Sequence, residues 1–417
     1  MQKFVCSTAF WNGYDERRTL PGDLSFIEDN NCHSEDGKVP ALREALLPYG
    51  VFYDFSFTEF APTLDWDKLK PGDRVFVWRA GGIGDIVQTA PLCHELLDRG
   101  AVIIFGMGDN CDLALPIIGG KQAGFSIIRR KQLGVAPPEC DWTVTLEGCP
   151  EQSLSARHIS EVFVTRTRNA PDVLLNPLQR MPGGKYFETA RLFVSEWLES
   201  EPGEAEQYDL ILAPNASAPI RSVTPLEALP EAFLKQYNAA MIGATAFYPA
   251  TPIPVFNKLP DAELYRTLLS AKLIVCGDSG ISHLAYWLGV PMVAFYSVIN
   301  WRARMYQARH VCVVDCTDLC PMAPCAWHNV ICPLLASGGV AVNACSAMLY
   351  LDTAKIADLL ASRIGRRDGF LCVPGLDLAG LPALIQSQKG IHLPDGTLYE
   401  GVNGEHRLIV DSPEQPR

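Results

Sequence analysis

The sequence lacks an apolar run long enough to cross a bilayer. Its longest such run, His283 to Ile299, is interrupted by Gly289 and Pro291 and falls short of the ~20 residues that a spanning helix needs. The segment FVCSTAFW near the start is also short, and charged residues soon follow it, so it does not read as an export signal. We therefore expect a cytoplasmic protein with no membrane span.

Positive charge and closely paired cysteines are also scarce. Lys and Arg number 35 against 47 Asp and Glu, which gives a net charge of -12 and disfavours attraction to a phosphate backbone. The 14 cysteines include no C-x-x-C pair of the kind found in ordinary zinc ribbons. Because no export signal is predicted, the cysteines are expected in a reducing compartment as free thiols or metal ligands rather than as disulfides.

The chain is long enough for two domains. A length of 417 residues exceeds what one hydrophobic core usually organises. Strand, loop and helix patterns recur in two stretches, which predicts two doubly wound, Rossmann-like α/β domains with parallel sheets. Short alternating runs predict small β additions at both ends. The expected segments are a β-rich extension at 1–70, a first domain at 71–184, a second domain at 185–365 and a β-hairpin or meander at 366–417.

The first domain opens with a buried strand at 74–78, a glycine loop and a helix predicted over 85–99. The loop contains Gly81, Gly82 and Gly84. Loops at the carboxyl ends of parallel strands form the ligand crevice of such folds. Asp85 follows the loop directly, and it is either a chemical group of that crevice or only a cap of its helix.

A second loop, GDSG, precedes the apolar helix ISHLAYWLG. Asp278 or Ser279 can cap this helix while backbone N–H groups at its start stay unpaired, which suits a phosphate. His283, one turn further on, can add a donor to the same anion. The alternative is a plain helix cap beside a satisfied core histidine.

Both loops resemble those of a known family, the heptosyltransferase-like glycosyltransferases that include the lipopolysaccharide heptosyltransferases. GGIGDIVQTAPL resembles the GDxxxxxP opening of that family, and GDSGISHLAYWLGVPMVAFYS resembles its DSGxxHLAxxLGxPxVALFG segment. The similarity runs from about Asp73 to Ser362 in the same order. It implies two facing domains of the B-type glycosyltransferase fold, with the nucleotide-sugar donor in the C-terminal half and the acceptor facing the N-terminal half.

The resemblance also implies roles for the loop residues. Asp85 would be the general base that takes the proton of the acceptor hydroxyl, and Gly81, Gly82 and Gly84 would let substrate approach the backbone. The implied donor-binding residues are Ser217, Arg221, Asp278, Ser279, Gly280 and His283.

Two positions depart from the family pattern. The family commonly has Lys followed by Trp where this chain reads Arg221-Ser222-Val223; an arginine keeps the charge and changes the geometry, and a solvated surface arginine is the alternative. The segment MIGATAFYPATPIP lacks the acidic residue often found near the ribose. The donor is therefore left open among ADP-, GDP- and UDP-sugars.

Four cysteines of the second domain are separated by four, six and twelve residues, namely Cys320, Cys325, Cys332 and Cys345. Four thiolates can hold zinc or iron tetrahedrally and fix an irregular loop. Some protein-modifying members of the resembled family have a four-cysteine iron site in this region. Buried free thiols are the alternative. For catalysis itself, the resemblance implies that no metal or other cofactor is required.

The resulting hypothesis is an inverting, metal-independent glycosyltransferase that moves a sugar from a nucleotide-sugar donor to an acceptor hydroxyl. The acceptor would be lipopolysaccharide or another glycan, or a protein. Alternatives are a transferase acting on a hydroxymethylated base of phage-type DNA, a nucleotide-sugar epimerase and a non-catalytic nucleotide-sugar-binding protein. Epimerases usually follow the Asp-Ser-Gly loop with paired acidic residues, whereas this chain continues ISHLAYWLG. An oligomer is left open.

Overall fold

The computed structural model describes an α/β protein built around two parallel sheets. The residues that it describes are 4–6, 31–32, 52–53, 64–79, 81–129, 138–146, 185–204, 206–245, 251–298, 301, 304–305, 308–316, 319, 345–349, 351–366, 369, 371–374, 390–392, 398–402 and 405–409. Within these ranges, no helix combines the length and the apolar character that a membrane crossing needs.

The first sheet consists of short parallel strands. Its described strands, in spatial order, are Phe125–Arg129, Val102–Met107, Arg74–Arg79 and Trp142–Thr145. The central strand RVFVWR is buried from Val75 onwards. Such continuous burial is expected because helices cover both faces of a parallel sheet, which favours apolar runs over alternating patterns.

The first domain's helices follow the strands, as the α/β pattern predicts. They are Ile83–Val87, Ala90–Asp98 and Leu115–Ile118, with a 3₁₀ turn at Asp112–Ala114. The single helix predicted over 85–99 is therefore two helices, separated at Gln88 and Thr89. The second one restarts with Pro91 in its first turn, because proline has no N–H to donate into a preceding turn.

The second sheet has seven parallel strands among the residues described. In spatial order they are Val255–Phe256, Ala239–Ile242, Leu210–Ala213, Ile274–Cys276, Met292–Tyr296, Val311–Asp315 and Leu371–Pro374. The last strand lies beyond the predicted domain end at residue 365, so this sheet extends further than expected. The sequence LCVP is too short to show the alternation of apolar and polar residues that predicts a strand. Its proline is tolerated because the strand lies at the edge of the sheet.

The second half contains the remaining helices. Those described are Lys185–Glu199, Glu231–Leu234, Asp261–Ser270, Gly280–Trp287, Ser346–Leu349 and Thr353–Arg363, with 3₁₀ turns at Pro219–Arg221 and Thr224–Ala228. PLEALPEAFLKQY predicts one helix, but Pro230 divides it into a 3₁₀ turn and a short helix. Ile83–Val87 is named the GGIGD helix and Gly280–Trp287 the GDSG helix, after the motifs at their starts.

The helix Lys185–Glu199, named the linking helix, contacts both halves of the chain. The ring of its Phe187 lies 5.0 Å from the ring of Tyr286 in the GDSG helix, edge to face. The ring of its Phe193 lies 5.3 Å from His94 of the first domain, also edge to face. The buried core is consequently continuous between the two sheets.

Small antiparallel sheets are present near both ends, as the fold class predicted. At one end Phe4–Cys6 pairs with Asn31–Cys32 and Phe52–Tyr53, and at the other Leu398–Val402 pairs with Gly390–His392 and Glu405–Ile409. The sequence pairs Asp395-Gly396 and Asn403-Gly404, which favour hairpin turns, lie outside the described residues.

His94 is a fully buried histidine in the first domain. Its Nε2 donates to the carbonyl oxygen of Ile117 at 2.8 Å. Burial lowers the pKa of His94 to about 4, and the opposing effects of the Ile117 hydrogen bond and the Asp98 charge are smaller. The imidazole is therefore neutral in the folded protein at neutral pH.

We expect His94 to make the protein sensitive to acid. The unfolded chain takes up this proton near pH 6.5 and the folded chain near pH 4, so the stabilisation is complete above pH 6.5 and is lost as the pH falls toward 4. The loss amounts to about 3 kcal/mol. Urea denaturation across this range compares wild type with His94→Gln, which keeps a donor for Ile117 and should depend less on pH. Equal pH dependence of the two proteins would contradict the prediction.

Candidate active site

The GGIGD helix and the GDSG helix start side by side. A methyl group on Gly84 would lie 2.5 Å from Cδ2 of His283, and one on Gly280 would lie 3.4 Å from Cβ of Ile83. The first distance leaves no room for a side chain unless the histidine ring shifts, and the second is an ordinary van der Waals contact. The two predicted loops therefore meet in space although they are far apart in sequence.

Ser279 caps the GDSG helix. Its Oγ accepts from the N–H of Ser282 at 3.4 Å, and Oγ of Ser282 accepts from the N–H of Ser279 at 3.1 Å. This is a reciprocal capping box, so the serine is the cap rather than Asp278. Among the residues described, the N–H groups of Gly280 and Ile281 have no hydrogen-bond partner, and they lie at the positive end of the helix dipole.

Asp278 lies at this helix start with a side chain only 4% exposed. Its Oδ2 accepts from Nη1 of Arg221 at 3.1 Å. Its Oδ1 lies 3.3 Å from Nε2 of His283 and 4.0 Å from Nε of Arg304. Two guanidinium groups thus surround one carboxylate, and the excess positive charge favours a bound anion.

The ionisation of Asp278 follows from these neighbours. Burial alone would raise the pKa of this carboxyl, but the charge of Arg304, the interaction with His283 and the charge of Arg221 together hold the pKa well below its usual value. Asp278 is therefore ionised throughout the neutral range. Burial, followed by the charge of Asp278, raises the pKa of Tyr296 well above its ordinary value, so that phenol stays protonated.

Arg221 connects Ser217 to the same cluster. Its Nη2 donates to Oγ of Ser217 at 2.8 Å while Nη1 donates to Asp278. The arginine side chain is 17% exposed, so it is largely enclosed rather than a solvated surface arginine. All six residues predicted to bind the donor therefore lie in one neighbourhood.

Asp85 lies in the first turn of the GGIGD helix, with a side chain that is 19% exposed. Its Oδ2 accepts from the N–H of Gly82 at 2.6 Å, and its Oδ1 accepts from Nη2 of Arg79 at 3.2 Å. The helix-capping contact named as the alternative is thus present. A carboxylate offers about four acceptor positions, so this contact does not prevent Asp85 from accepting a further hydrogen bond or a proton.

Gly81 and Arg79 hold the Asp85 carboxylate in place. Gly81 has φ +120°, and a methyl group there would overlap Oδ2 of Asp85, so the position requires glycine on both counts. Arg79 is fully buried, and its Nη1 donates to the carbonyl oxygen of Leu146 at 3.2 Å. That bond orients the guanidinium toward Asp85.

The cysteine cluster is described only in part. Cys320, Cys325 and Cys332 lie outside the described residues, whereas Cys345 is buried with its Sγ 3.1 Å from Oγ of Ser297. In the part of the chain that the structure describes, no group of three or more His, Cys, Asp or Glu residues is placed to hold a metal ion. A metal at these four cysteines stays a prediction.

Three residues of this neighbourhood are absent from the sequence-based candidates. Arg79 has a signal, since it is a charged residue that ends an apolar strand at the carboxyl edge of a parallel sheet. Gln88 is fully buried, and its Nε2 lies 2.9 Å from Nδ1 of His283 and 3.2 Å from the carbonyl oxygen of Arg304. Neither Gln88 nor Arg304 shows a local signal, because both contribute through contacts across the fold.

We expect Gly84→Ala to destabilise the protein. Its methyl group would overlap the ring of His283, and overpacking of a buried contact costs about 1–3 kcal/mol. Gly108→Ala is the matched control, because its methyl group would meet only the carbonyl oxygen of Gly81 at 3.8 Å. Urea denaturation measures both variants. Equal midpoints for the two would show that the helices do not meet at Gly84.

Several solved structures align with the chain at low identity. The family 9 glycosyltransferase of Veillonella parvula has a TM-score of 0.40 and 14% identity, over 61% of this chain and 87% of its own. The ADP-heptose lipopolysaccharide heptosyltransferase II of E. coli has a TM-score of 0.44 and 12% identity, over 70% of this chain and 98% of its own. The iron-containing dodecameric glycosyltransferase TibC of enterotoxigenic E. coli has a TM-score of 0.39 and 15% identity, over 57% of this chain and 62% of its own. Among curated protein sequences, none matches the chain.

A family model matches a segment in the second half of the chain. Residues 249–318 match the model of glycosyltransferase family 9 (heptosyltransferase), and this segment contains Asp278, His283 and Arg304. The two parallel sheets confirm the predicted α/β fold class. The family match agrees with the expected resemblance to the heptosyltransferase-like glycosyltransferases, over a segment in the second half of the chain.

Proposed function

We propose that the protein transfers a sugar from a nucleoside diphosphate-sugar to an acceptor hydroxyl, with inversion and without a catalytic metal. The observation that supports this function is the buried cluster of Arg221, Arg304 and Asp278 at the start of the GDSG helix. This helix touches the GGIGD helix, which carries Asp85. An anion-binding group beside a carboxylate base is the combination that such a transfer needs.

The donor diphosphate would bind at the start of the GDSG helix. Its oxygens would accept from the N–H groups of Gly280 and Ile281 and from the guanidinium of Arg221. Asp278 is an ionised carboxylate and cannot donate to phosphate. Its proposed role is therefore to hold the arginines in place, which differs from the direct phosphate contact that the sequence suggested.

Negative charge grows on the diphosphate as the sugar leaves. The positive helix end and the largely enclosed guanidinium groups would stabilise that charge, because electrostatic interactions are stronger where water is excluded. These groups would take the part that a divalent cation plays in metal-dependent transfer. The nucleoside diphosphate departs with the electron pair of the broken bond between the anomeric carbon and its oxygen.

Asp85 would act as the general base. The acceptor oxygen attacks the anomeric carbon on the face opposite the diphosphate, so one C–O bond forms while the other breaks and the configuration inverts. The hydroxyl proton passes to the Asp85 carboxylate, which Arg79 orients. A positioned base typically contributes about 100- to 10,000-fold to such a step.

A glycan, such as a lipopolysaccharide core sugar, or a protein side chain is the proposed acceptor class. A DNA acceptor is disfavoured by the net charge of -12, because duplex binding depends on neutralising phosphates with basic residues. An epimerase is disfavoured because the buried residues Ser282 and His283 follow the Asp-Ser-Gly loop where paired acidic residues would be expected.

Arg221→Ala is expected to weaken binding of a nucleoside diphosphate. Loss of a charge-assisted hydrogen bond costs about 1.5–3 kcal/mol, which corresponds to a roughly 10- to 150-fold higher Kd. Isothermal titration with ADP, GDP and UDP would measure Kd and identify the preferred base. Arg191→Ala, which alters an exposed arginine of the linking helix, should bind as wild type does. A Kd unchanged by Arg221→Ala would remove this residue from the donor site.

Asp85→Asn is expected to bind the nucleoside diphosphate normally and to lose at least about 100-fold in turnover. The asparagine side chain has nearly the same shape but cannot take the hydroxyl proton. Turnover is followed as release of nucleoside diphosphate from the heptose conjugate of the nucleotide that binds best, with a glycan acceptor. Asp98→Asn changes a carboxylate that pairs with Lys185 and serves as the control. Full activity of Asp85→Asn would discard the base role.

A further inference from the structure

Gln88 connects the two halves of the site from a fully buried position. It is the C-cap residue that directly follows the GGIGD helix. Its Nε2 lies 3.2 Å from the carbonyl oxygen of Arg304 and 2.9 Å from Nδ1 of His283. Both partners belong to the second half of the chain, and the mechanism above gives Gln88 no role.

The two contacts fix the orientation of the Gln88 amide. A backbone carbonyl oxygen only accepts hydrogen bonds, so the amide atom that faces Arg304 must be the NH₂ group. This group has two hydrogens, and the second one is donated to Nδ1 of His283. Nδ1 must then be unprotonated, which places the single ring proton on Nε2.

We propose that Gln88 is a positioning residue that holds His283 as a neutral imidazole with its proton on Nε2. The proposal deepens the proposed donor site and rests on it for its functional meaning. Nε2 lies 3.3 Å from Oδ1 of Asp278, at the start of the GDSG helix. From this ring edge, His283 can donate to a carboxylate or to a diphosphate oxygen.

The protonation state of His283 matters because charged groups surround it. Asp278 faces the ring, and Arg221 and Arg304 both lie against the same carboxylate. A donor on Nδ1 blocks the second protonation directly, because an imidazolium has no acceptor nitrogen. With a neutral His283, the charged groups of the cluster are two arginines and one carboxylate.

Two further titratable groups belong to the site. Asp85, which follows Gly84 on the GGIGD helix, is paired with Arg79. The phenol of Tyr296 stays protonated, because burial raises its pKa well above the ordinary value. Gln88 and Asp278 are the polar groups that contact the two ring nitrogens of His283.

Nitrogen-15 NMR of the histidine-labelled, nucleotide-free protein tests the proposal. Protonated and unprotonated ring nitrogens resonate far apart, and the His283 signals are those that disappear in His283→Gln. At neutral pH we expect an unprotonated Nδ1 and a protonated Nε2. A proton on Nδ1, with or without one on Nε2, would overturn the proposal. This measurement needs no change at Gln88, so it decides the matter even if a variant there does not fold.

Gln88→Glu provides the second measurement. A carboxylate in place of the NH₂ group accepts from Nδ1 instead of donating to it, so the ring should show two protonated nitrogens at neutral pH. An unchanged His283 spectrum in the folded variant would overturn the role of Gln88. Neither measurement uses a nucleotide, so failure here is distinct from failure of the donor site, which the Kd of Arg221→Ala reports.

Discussion

A single buried carboxylate organises the second half of the candidate site. Asp278 contacts three residues from different segments. Arg221 lies in a 3₁₀ turn, Arg304 follows the strand Met292–Tyr296, and His283 lies in the GDSG helix. Removing one partner from a buried ion pair typically costs about 3–5 kcal/mol, because the other charge is left uncompensated. The ionised state of Asp278 thus holds three separate segments together, and the arrangement of every positive group in the cluster depends on it.

Close contacts between the GGIGD helix and the GDSG helix fix the two halves of the site relative to each other. Gly84 touches the ring of His283, and Gln88 bonds across the same junction. The linking helix adds aromatic contacts to both sides. Because Asp85 lies on the helix that makes these contacts, its carboxylate and the cluster around Asp278 keep a defined separation. Such fixed geometry is a main source of rate enhancement in a two-substrate reaction.

Much of the fold could be predicted from local patterns. Apolar strands followed by glycine loops predict parallel sheets. The Asp-Ser-Gly sequence before an apolar helix predicts a cap at Asp278 or Ser279, and the structure shows that Ser279 is the cap. The break at Thr89 and the edge strand Leu371–Pro374 escaped prediction. Proline placement decides the first, and pairing with a distant strand decides the second.

The long-range partners of the site could not be predicted in the same way. Arg304 and Gln88 acquire their roles only when segments from both halves meet around His283 and Asp278. Nothing in the residues beside them in sequence differs from ordinary surface or core patterns. Motif residues such as Asp85 and His283 were identifiable because their neighbours in sequence form the recognisable unit, whereas these partners are neighbours only in space.

The cap of the GDSG helix is uncharged, and this has a consequence for ligand binding. Capping boxes often carry glutamate at the third position, but Ser282 occupies it here. A glutamate would place a permanent anion within the first turn, where it would compete with an incoming phosphate for the same helix end. The hydroxyl of Ser282 accepts from the N–H of Ser279 without adding a negative charge. The positive helix end therefore remains available to attract an anion.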